Sequence, residues 1–255
     1  MKKFISFILR NIPRKYIQLV SAPTLKVIGL FMRGNNVTCP IAQKSYRKFL
    51  PYGRVNPRPN ALCPDSLSLE RHRLLWLYLK EKTNFFNEKL HFLHIAPEQC
   101  FMKAFEKQHG AGYITADIES PLAKVKMDVH DIPFEANTFD IAMCNHVMEH
   151  VENDIKAMSE IYRVLKPGGW AIMQVPFFSP VREETFENKS ITDPKERERV
   201  YGQDDHVRLY GKDYPNRIRK AGFEVVEDRF IDELGPALVK KYSLPPNETI
   251  YFCKK

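Results

Sequence analysis

Residues 127–176 (MDVHDIPFEANTFDIAMCNHVMEHVENDIKAMSEIYRVLKPGGWAIMQVP) constrain the fold more than any other stretch. Residues 139–145 and 170–175 are apolar runs of strand length. Between them Ile155, Met158, Ile161, Tyr162 and Leu165 recur at helical spacing, and the turn ending at Gly169 stops that helix. Strand, covering helix and strand predict a βαβ unit, so the sheet is at least partly parallel. Such sheets take ligands beyond the carboxyl ends of their strands, here near Asn145 and Pro176.

The rest of the chain extends the pattern. Strands are expected at about 91–96, 112–117, 124–129, 223–229 and 249–253, and helices at about 98–109, 152–165 and 212–221. Residues 177–210 form a long polar and aromatic insertion, the natural place for a substrate lid. Tyr162 and Lys166 have the Tyr-x-x-x-Lys spacing of short-chain dehydrogenases. However, Tyr162 falls on the apolar stripe, Lys166 falls in the last helical turn, and no G-x-G-x-x-G occurs.

Asp131-Ile132-Pro133-Phe134, Phe139-Asp140, Glu149-His150-Val151 and Arg163 to Gly169 (RVLKPGG) together resemble the second half of a class I S-adenosylmethionine-dependent methyltransferase domain of the small-molecule, type 11-like kind. The resemblance runs from about Leu90 to the end. It implies an α/β fold: a Rossmann-like, seven-stranded, mostly parallel sheet with helices on both faces, here with an N-terminal helical and loop extension. It also implies S-adenosyl-L-methionine as cofactor and methyl transfer as the activity.

By position in that family, the turn after the first strand (Ala96, Pro97, Glu98) approaches the methionine moiety. This turn has no glycine, a departure from the family loop, and Pro97 lacks an N–H. The resemblance gives Asp117, with Ile118 beside it, the ribose hydroxyls. It gives Asp128 and Val129 the adenine, and Asn145 and His146 the floor beside the sulfonium. Methyl transfer needs alignment more than acid–base chemistry, and the candidates for a catalytic base are His206 first, then His146, with Glu149, Asp205 and Tyr210 also considered. His150 reads as a structural histidine.

The N-terminal third differs in charge. Residues 1–90 hold 17 Lys/Arg against 4 Asp/Glu, a net +13, whereas residues 91–255 hold 22 against 27, a net −5. This predicts an anionic partner for that third: a glycan, lipid-linked or other small anionic acceptor, or a peripheral contact of residues 1–33 with an anionic membrane. Residues 1–33 read as one or two short amphipathic helices broken near Pro13 and Pro23. Packing of such a helix on the main domain is the competing reading.

Residues 34–88 hold Cys39-Pro40-Ile41-Ala42 and Cys63-Pro64-Asp65-Ser66, two halved C-x-x-C pairs resembling a degenerate zinc ribbon. They are followed by a helix whose apolar face is Leu69, His72, Leu75, Trp76 and Leu79, with Arg71, Arg73 and Lys80 elsewhere. The expectation is no bound metal and loops held by Phe49, Leu50, Tyr52 and Leu62. The methyltransferase domain is expected at residues 89–255. Five scattered cysteines, no signal-peptide core and no apolar run of membrane-spanning length predict a cytoplasmic protein. Two alternatives stay open: a non-catalytic binding protein with this fold, and a nucleic-acid methyltransferase. Nucleic acid is not the expected partner, because Tyr46, Phe49 and Tyr52 are not regularly interleaved with the basic residues.

Overall fold

The computed structural model describes residues 14–53 and 57–255, which fall into two compact units. One unit holds residues 85–98, 102–229 and 249–255. Its strands are β5 (Phe92–Ile95), β6 (Tyr113–Asp117), β7 (Val125–Lys126), β8 (Phe139–Cys144), β9 (Leu165–Ile172), β12 (Glu224–Asp228) and β13 (Ile250–Lys254). They form one seven-stranded sheet in the order β12-β13-β9-β8-β5-β6-β7. β7, β6, β5, β8 and β9 run parallel, and β13 is antiparallel to both β9 and β12. All seven expected strands are present.

The alternation along β5 shows why both faces are covered. Leu93 and Ile95 join one buried cluster with Ala142, Cys144 and the apolar stripe Ala157, Met158, Ile161 and Val164 of α4 (Asp154–Val164). Phe92 and His94 join the other face, an aromatic cluster with Phe85, Tyr113, and Phe105 and His109 of α3 (Gln99–His109). Burial of these strands on two sides is what makes them read as continuous apolar runs.

β9 departs from expectation. The helix ends at Val164 and the strand begins at once with Leu165, opposite Phe139. The register then shifts, and Trp170 lies opposite Ile141. Lys166 to Gly169 is therefore a bulge within a strand, with Gly168 at φ +78°, a conformation that glycine adopts at little cost. Lys166 is consequently not in a helical turn. Its ammonium pairs with Asp140 at 2.6 Å, while Tyr162 packs edge-on against Phe223. The spacing that resembled a dehydrogenase is accounted for by packing and an ion pair.

The other unit holds the described residues up to Asn84, Gln99–Phe101 and Phe230–Glu248. It contains α1 (Arg14–Phe31), the hairpins β1 (Arg33–Cys39)–β2 (Lys44–Tyr46) and β3 (Leu50–Tyr52)–β4 (Arg58–Leu62), α2 (Glu70–Lys82), α7 (Phe230–Glu233) and α8 (Gly235–Tyr242). α1 runs through Pro23 instead of breaking there. The amphipathic start around Phe4, Ile5, Ile8 and Ile12 lies outside the described residues. No described helix is long and apolar enough to cross a membrane.

Two sequence expectations change in this unit. Arg73 is fully buried and not on a polar face. Its guanidinium donates to the carbonyls of Ala61, Ser68, Asn60, Tyr242 and Ser243 and lies 4.5 Å from the Phe49 ring centre. Five acceptors at carbonyl oxygens satisfy the fork without any carboxylate. The hairpins pack through Val37, Cys39, Tyr46, Phe49 and Cys63, whereas Tyr52 is exposed and Leu50 and Leu62 are only half-buried. Cys39 Sγ sits 3.2 Å from Ser66 Oγ and accepts from the Ala42 N–H at 3.4 Å, so the two residues that stand where cysteines would complete the pairs make hydrogen bonds instead. A hydrogen bond from Cys63 pulls the Cys39 thiol down to about 5 against the effect of burial, while Cys63 is raised.

Candidate functional site

Strand register puts the expected cofactor residues in one row. Ile95 is level with Ala116 and with Cys144, so Ala96 stands beside Asp117 on one side and Asn145 on the other. Asp117 is level with Lys126, and Met127 donates its N–H to the Asp117 carbonyl, which brings Asp128 to the same end. Four neighbouring parallel strands thus end in Asn145, Ala96, Asp117 and Asp128, a row spanning roughly 14 Å at ordinary strand spacing. The chain leaves β5 toward β6 and β7, then returns to its other side as β8. The row therefore straddles the topological switch point where such sheets bind ligands.

The turn without glycine has a physical explanation. Ala96 adopts φ +48°, the left-handed region that glycine favours. Its N–H bonds the Ala116 carbonyl at 2.8 Å, and a methyl side chain is small enough to tolerate the conformation. The loop is then held by a string of polar groups that the sequence reading missed. Glu98 accepts from His94 Nε2 at 2.5 Å and from Asn145 Nδ2 at 3.0 Å. His94 Nδ1 meets the Tyr113 hydroxyl at 2.8 Å, and Asn145 Oδ1 accepts from the Gln174 N–H at 3.2 Å. Gln174 continues to the Thr249 carbonyl and the Tyr251 N–H. Glu98 thereby ties the turn after β5 to the end of β8.

The two strand-end aspartates are each half committed. Asp117 Oδ1 accepts from the N–H groups of Glu119 at 2.8 Å and Ser120 at 2.7 Å, closing the turn after β6, while Oδ2 has no hydrogen-bond partner among the described residues. Asp128 Oδ1 accepts from the backbone and ring of His130 at 2.8 and 2.7 Å, and these bonds, the backbone one foremost, hold its carboxyl below the usual range. Ile118 is exposed beside Asp117, and Val129 is buried in the core. Pro97 is half-buried in the same turn as Ala96.

Beyond β8 lies a second set. His146 also has positive φ, +55°, fixed by its N–H bond to the Gln174 carbonyl at 2.7 Å. His146 Nδ1 is 3.4 Å from Glu149 Oε1. His150 turns Nδ1 to Asp205 at 3.3 Å and Nε2 toward Glu149 at 3.9 Å, and its ring meets that of His206 edge-on at 4.6 Å between centres. His206, expected as a base, is fully buried, and desolvation lowers its pKa.

The 177–210 insertion reaches this cluster through named contacts. Val207 donates its N–H to the Glu149 carbonyl, and buried Arg208 donates to the carbonyls of Met148, Val151 and Glu152 and pairs with Glu187. Beneath it, Arg217 of α6 (Tyr214–Lys220) grips buried Asp154 with two 2.7 Å bonds. Tyr210 donates to Asp154, and burial raises its pKa far above the ordinary value. Within the insertion α5 (Pro194–Tyr201) is capped by Asp193, and β10 (Phe186–Glu187) pairs with β11 (Arg208–Leu209).

Residues 85–173 match the family described as "Methyltransferase domain". A ubiquinone/menaquinone biosynthesis C-methyltransferase of Brucella canis is 32% identical over 120 residues, covering 41% of this chain and 44% of its own length. An uncharacterized protein of Methanocaldococcus jannaschii is 39% identical over 69 residues, covering 27% of this chain and 30% of its own. The chain spans less than half the length of these curated relatives. Among solved structures, an S-adenosylmethionine dependent methyltransferase from Mesorhizobium loti aligns with TM-score 0.47 and 13% identity, over 71% of this chain and 97% of that one. The family match begins with Phe85 and runs through β5 to β9, so it takes in the four strands β5 to β8 whose ends form the row, and over residues 85–173 this chain is similar to a methyltransferase domain.

Proposed function

We propose that the protein transfers a methyl group from S-adenosylmethionine to a small anionic acceptor, of the glycan or lipid-linked class. The observation that carries the methyl-transfer reading is the row Asn145, Ala96, Asp117, Asp128 across the switch point, with Ala96 in a glycine-like conformation. The residues fit the cofactor: each aspartate keeps one carboxylate oxygen without a hydrogen-bond partner among the described residues, suited to hydroxyl and amino donors. The Ala96 turn admits close approach to the backbone. Asp117 would hold the ribose, Asp128 and the Val129 N–H the adenine, and Asn145 and His146 the sulfonium end.

When bound, S-adenosylmethionine supplies a methyl carbon on a sulfonium: the acceptor lone pair forms the new bond, the C–S pair stays on sulfur, and a neutral thioether departs. The protein's part is to align and to exclude water. Support for an anionic acceptor is the +13 charge of residues 1–90.

Calorimetric titration with S-adenosylhomocysteine, paired with methyl-label transfer into glycan and lipid extracts, tests the reading. One-to-one binding is expected. Ala96→Val is expected to bind at least about tenfold more weakly, because a β-branched residue resists positive φ. A folded protein that gives no binding overturns the proposal.

A further inference from the structure

We infer that Glu149, His150 and His206 form a binding site for a divalent first-row metal ion of the zinc type. One ligand atom from each lies within 4.8 Å of the others. Tetrahedral coordination at about 2.0–2.2 Å from the ion needs neighbouring ligand atoms roughly 3.4 Å apart, so side-chain adjustments of about an ångström close the site.

Burial points the same way. Glu149 and His206 are 1% and 0% exposed, yet Glu149 Oε2 and both ring nitrogens of His206 lack a hydrogen bond of ordinary geometry, although the Tyr201 carbonyl lies near the His206 ring. His146 Nε2, beside them, lacks one too. Of the eight such buried side-chain atoms among the described residues, these four sit in one cluster. Buried polar atoms are nearly always satisfied, and a concentration of orphans that are all metal-ligating types marks a missing ligand.

A supporting shell is already in place. His150 Nδ1 lies 3.3 Å from an Asp205 carboxylate oxygen, a neighbour that suits an Nδ1–H and would leave Nε2 with the free electron pair. The Val207-to-Glu149 backbone bond and the Arg208 contacts clamp the His206 segment onto the Glu149 turn. Two imidazoles and one carboxylate suit zinc and its neighbours rather than magnesium or calcium, which prefer all-oxygen sets. Three protein ligands leave a fourth position open. Because the cluster comes directly after Asn145 and His146, that position can hold an acceptor oxygen and lower its pKa. This role, unlike the site itself, rests on the methyltransferase reading.

The test uses the full chain, stripped with a chelator and titrated with Co²⁺ and with Zn²⁺. One equivalent of Co²⁺ should bind, with weak visible bands and no thiolate charge-transfer band. His206→Gln and Glu149→Gln should each weaken binding about 100-fold or more, and Asp205→Asn about tenfold. Cys39→Ser should change nothing. Should His206→Gln fail to fold in thermal melts, His150→Asn, at a partly exposed position, carries the same expectation. The inference is overturned by no one-to-one binding up to millimolar ion, by affinity unchanged in the folded variants, or by a thiolate band that Cys39→Ser abolishes. S-adenosylhomocysteine titrations run in parallel separate the two readings. Metal uptake without nucleoside binding upholds the site and sinks the methyltransferase proposal, whereas nucleoside binding without metal uptake does the reverse.

Discussion

Asp117→Ala probes the cofactor row at one atom pair, and the hydrogen bonds of the turn after β6 set its expected effect. A free carboxylate would serve both ribose hydroxyls equally. Here Oδ1 already accepts two backbone N–H groups, from Glu119 and Ser120, and only Oδ2 is uncommitted. One full charge-assisted bond is therefore at stake, with a weaker second, or about 1.5–3 kcal/mol and roughly 10- to 150-fold in affinity for S-adenosylhomocysteine. The same deletion strips that turn of its acceptor. Because Glu119 is exposed and water can replace the lost oxygen there, the stability cost should be about 1 kcal/mol.

Asp117→Asn separates the two effects. Its amide oxygen can take the Oδ1 place and keep the turn, leaving an NH2 where the charged acceptor was, so stability should return nearly to wild type while affinity stays about fivefold or more below it. Calorimetric titration and thermal melts of wild type and both variants read the two quantities independently. Wild-type affinity in folded Asp117→Ala would refute the assignment. A loss of affinity in Asp117→Ala that tracks lost stability, with Asp117→Asn normal in both, would reduce Asp117 to a turn cap.

Buried charge gives two more testable outcomes. The guanidinium of Arg163, foremost, then Lys156 and the Ile132 N–H, hold the Glu160 carboxyl at about 2, against an ordinary 4.5. Gross stabilisation of about 3 kcal/mol shrinks to about 1–2 because its two cationic partners are partly exposed. A lowered carboxyl pKa stabilises above the unfolded value, so the gap between wild type and Glu160→Gln in urea titrations should be full above pH 4.5 and fade as pH falls toward 2. A gap that does not vary with pH refutes it. Arg73→Met leaves several carbonyls unsatisfied at once and should cost at least about 3 kcal/mol, with little rescue by Arg73→Lys, whose ammonium lacks the planar fork. A loss below about 1 kcal/mol by urea denaturation would refute that account.

The seven strands of the sheet were legible because burial on two faces writes itself as short apolar runs, each bounded by turn residues. The start of β9 was not, since Lys166 to Gly169 has the composition of a turn and only the partner strand reveals a bulge. The hairpins β1–β2 and β3–β4 escaped for the opposite reason. Arg33–Cys39 and Arg58–Leu62 are short and mostly polar, and their shape depends on tertiary anchors such as Arg73, which local charge patterning assigns to solvent.

The candidate site divides along the same line. Ala96, Asp117, Asp128 and Asn145 could be placed from sequence because each ends a recognisable strand, and parallel register does the rest. The string His94–Glu98–Asn145–Gln174 and the group Glu149–His150–His206 could not, since each joins residues from separate elements whose meeting depends on how those elements pack. Two non-glycine residues with positive φ, Ala96 and His146, end the adjacent strands β5 and β8 on either side of the switch point. Such conformations persist only where surrounding bonds over-determine them, and here the bonds are visible: Ala96 to Ala116, and His146 to Gln174. Positive φ also occurs at Leu67, Asn60 and Asn137, away from these strand ends, so the conformation alone does not mark a ligand site, and the Ala96→Val titration carries that weight.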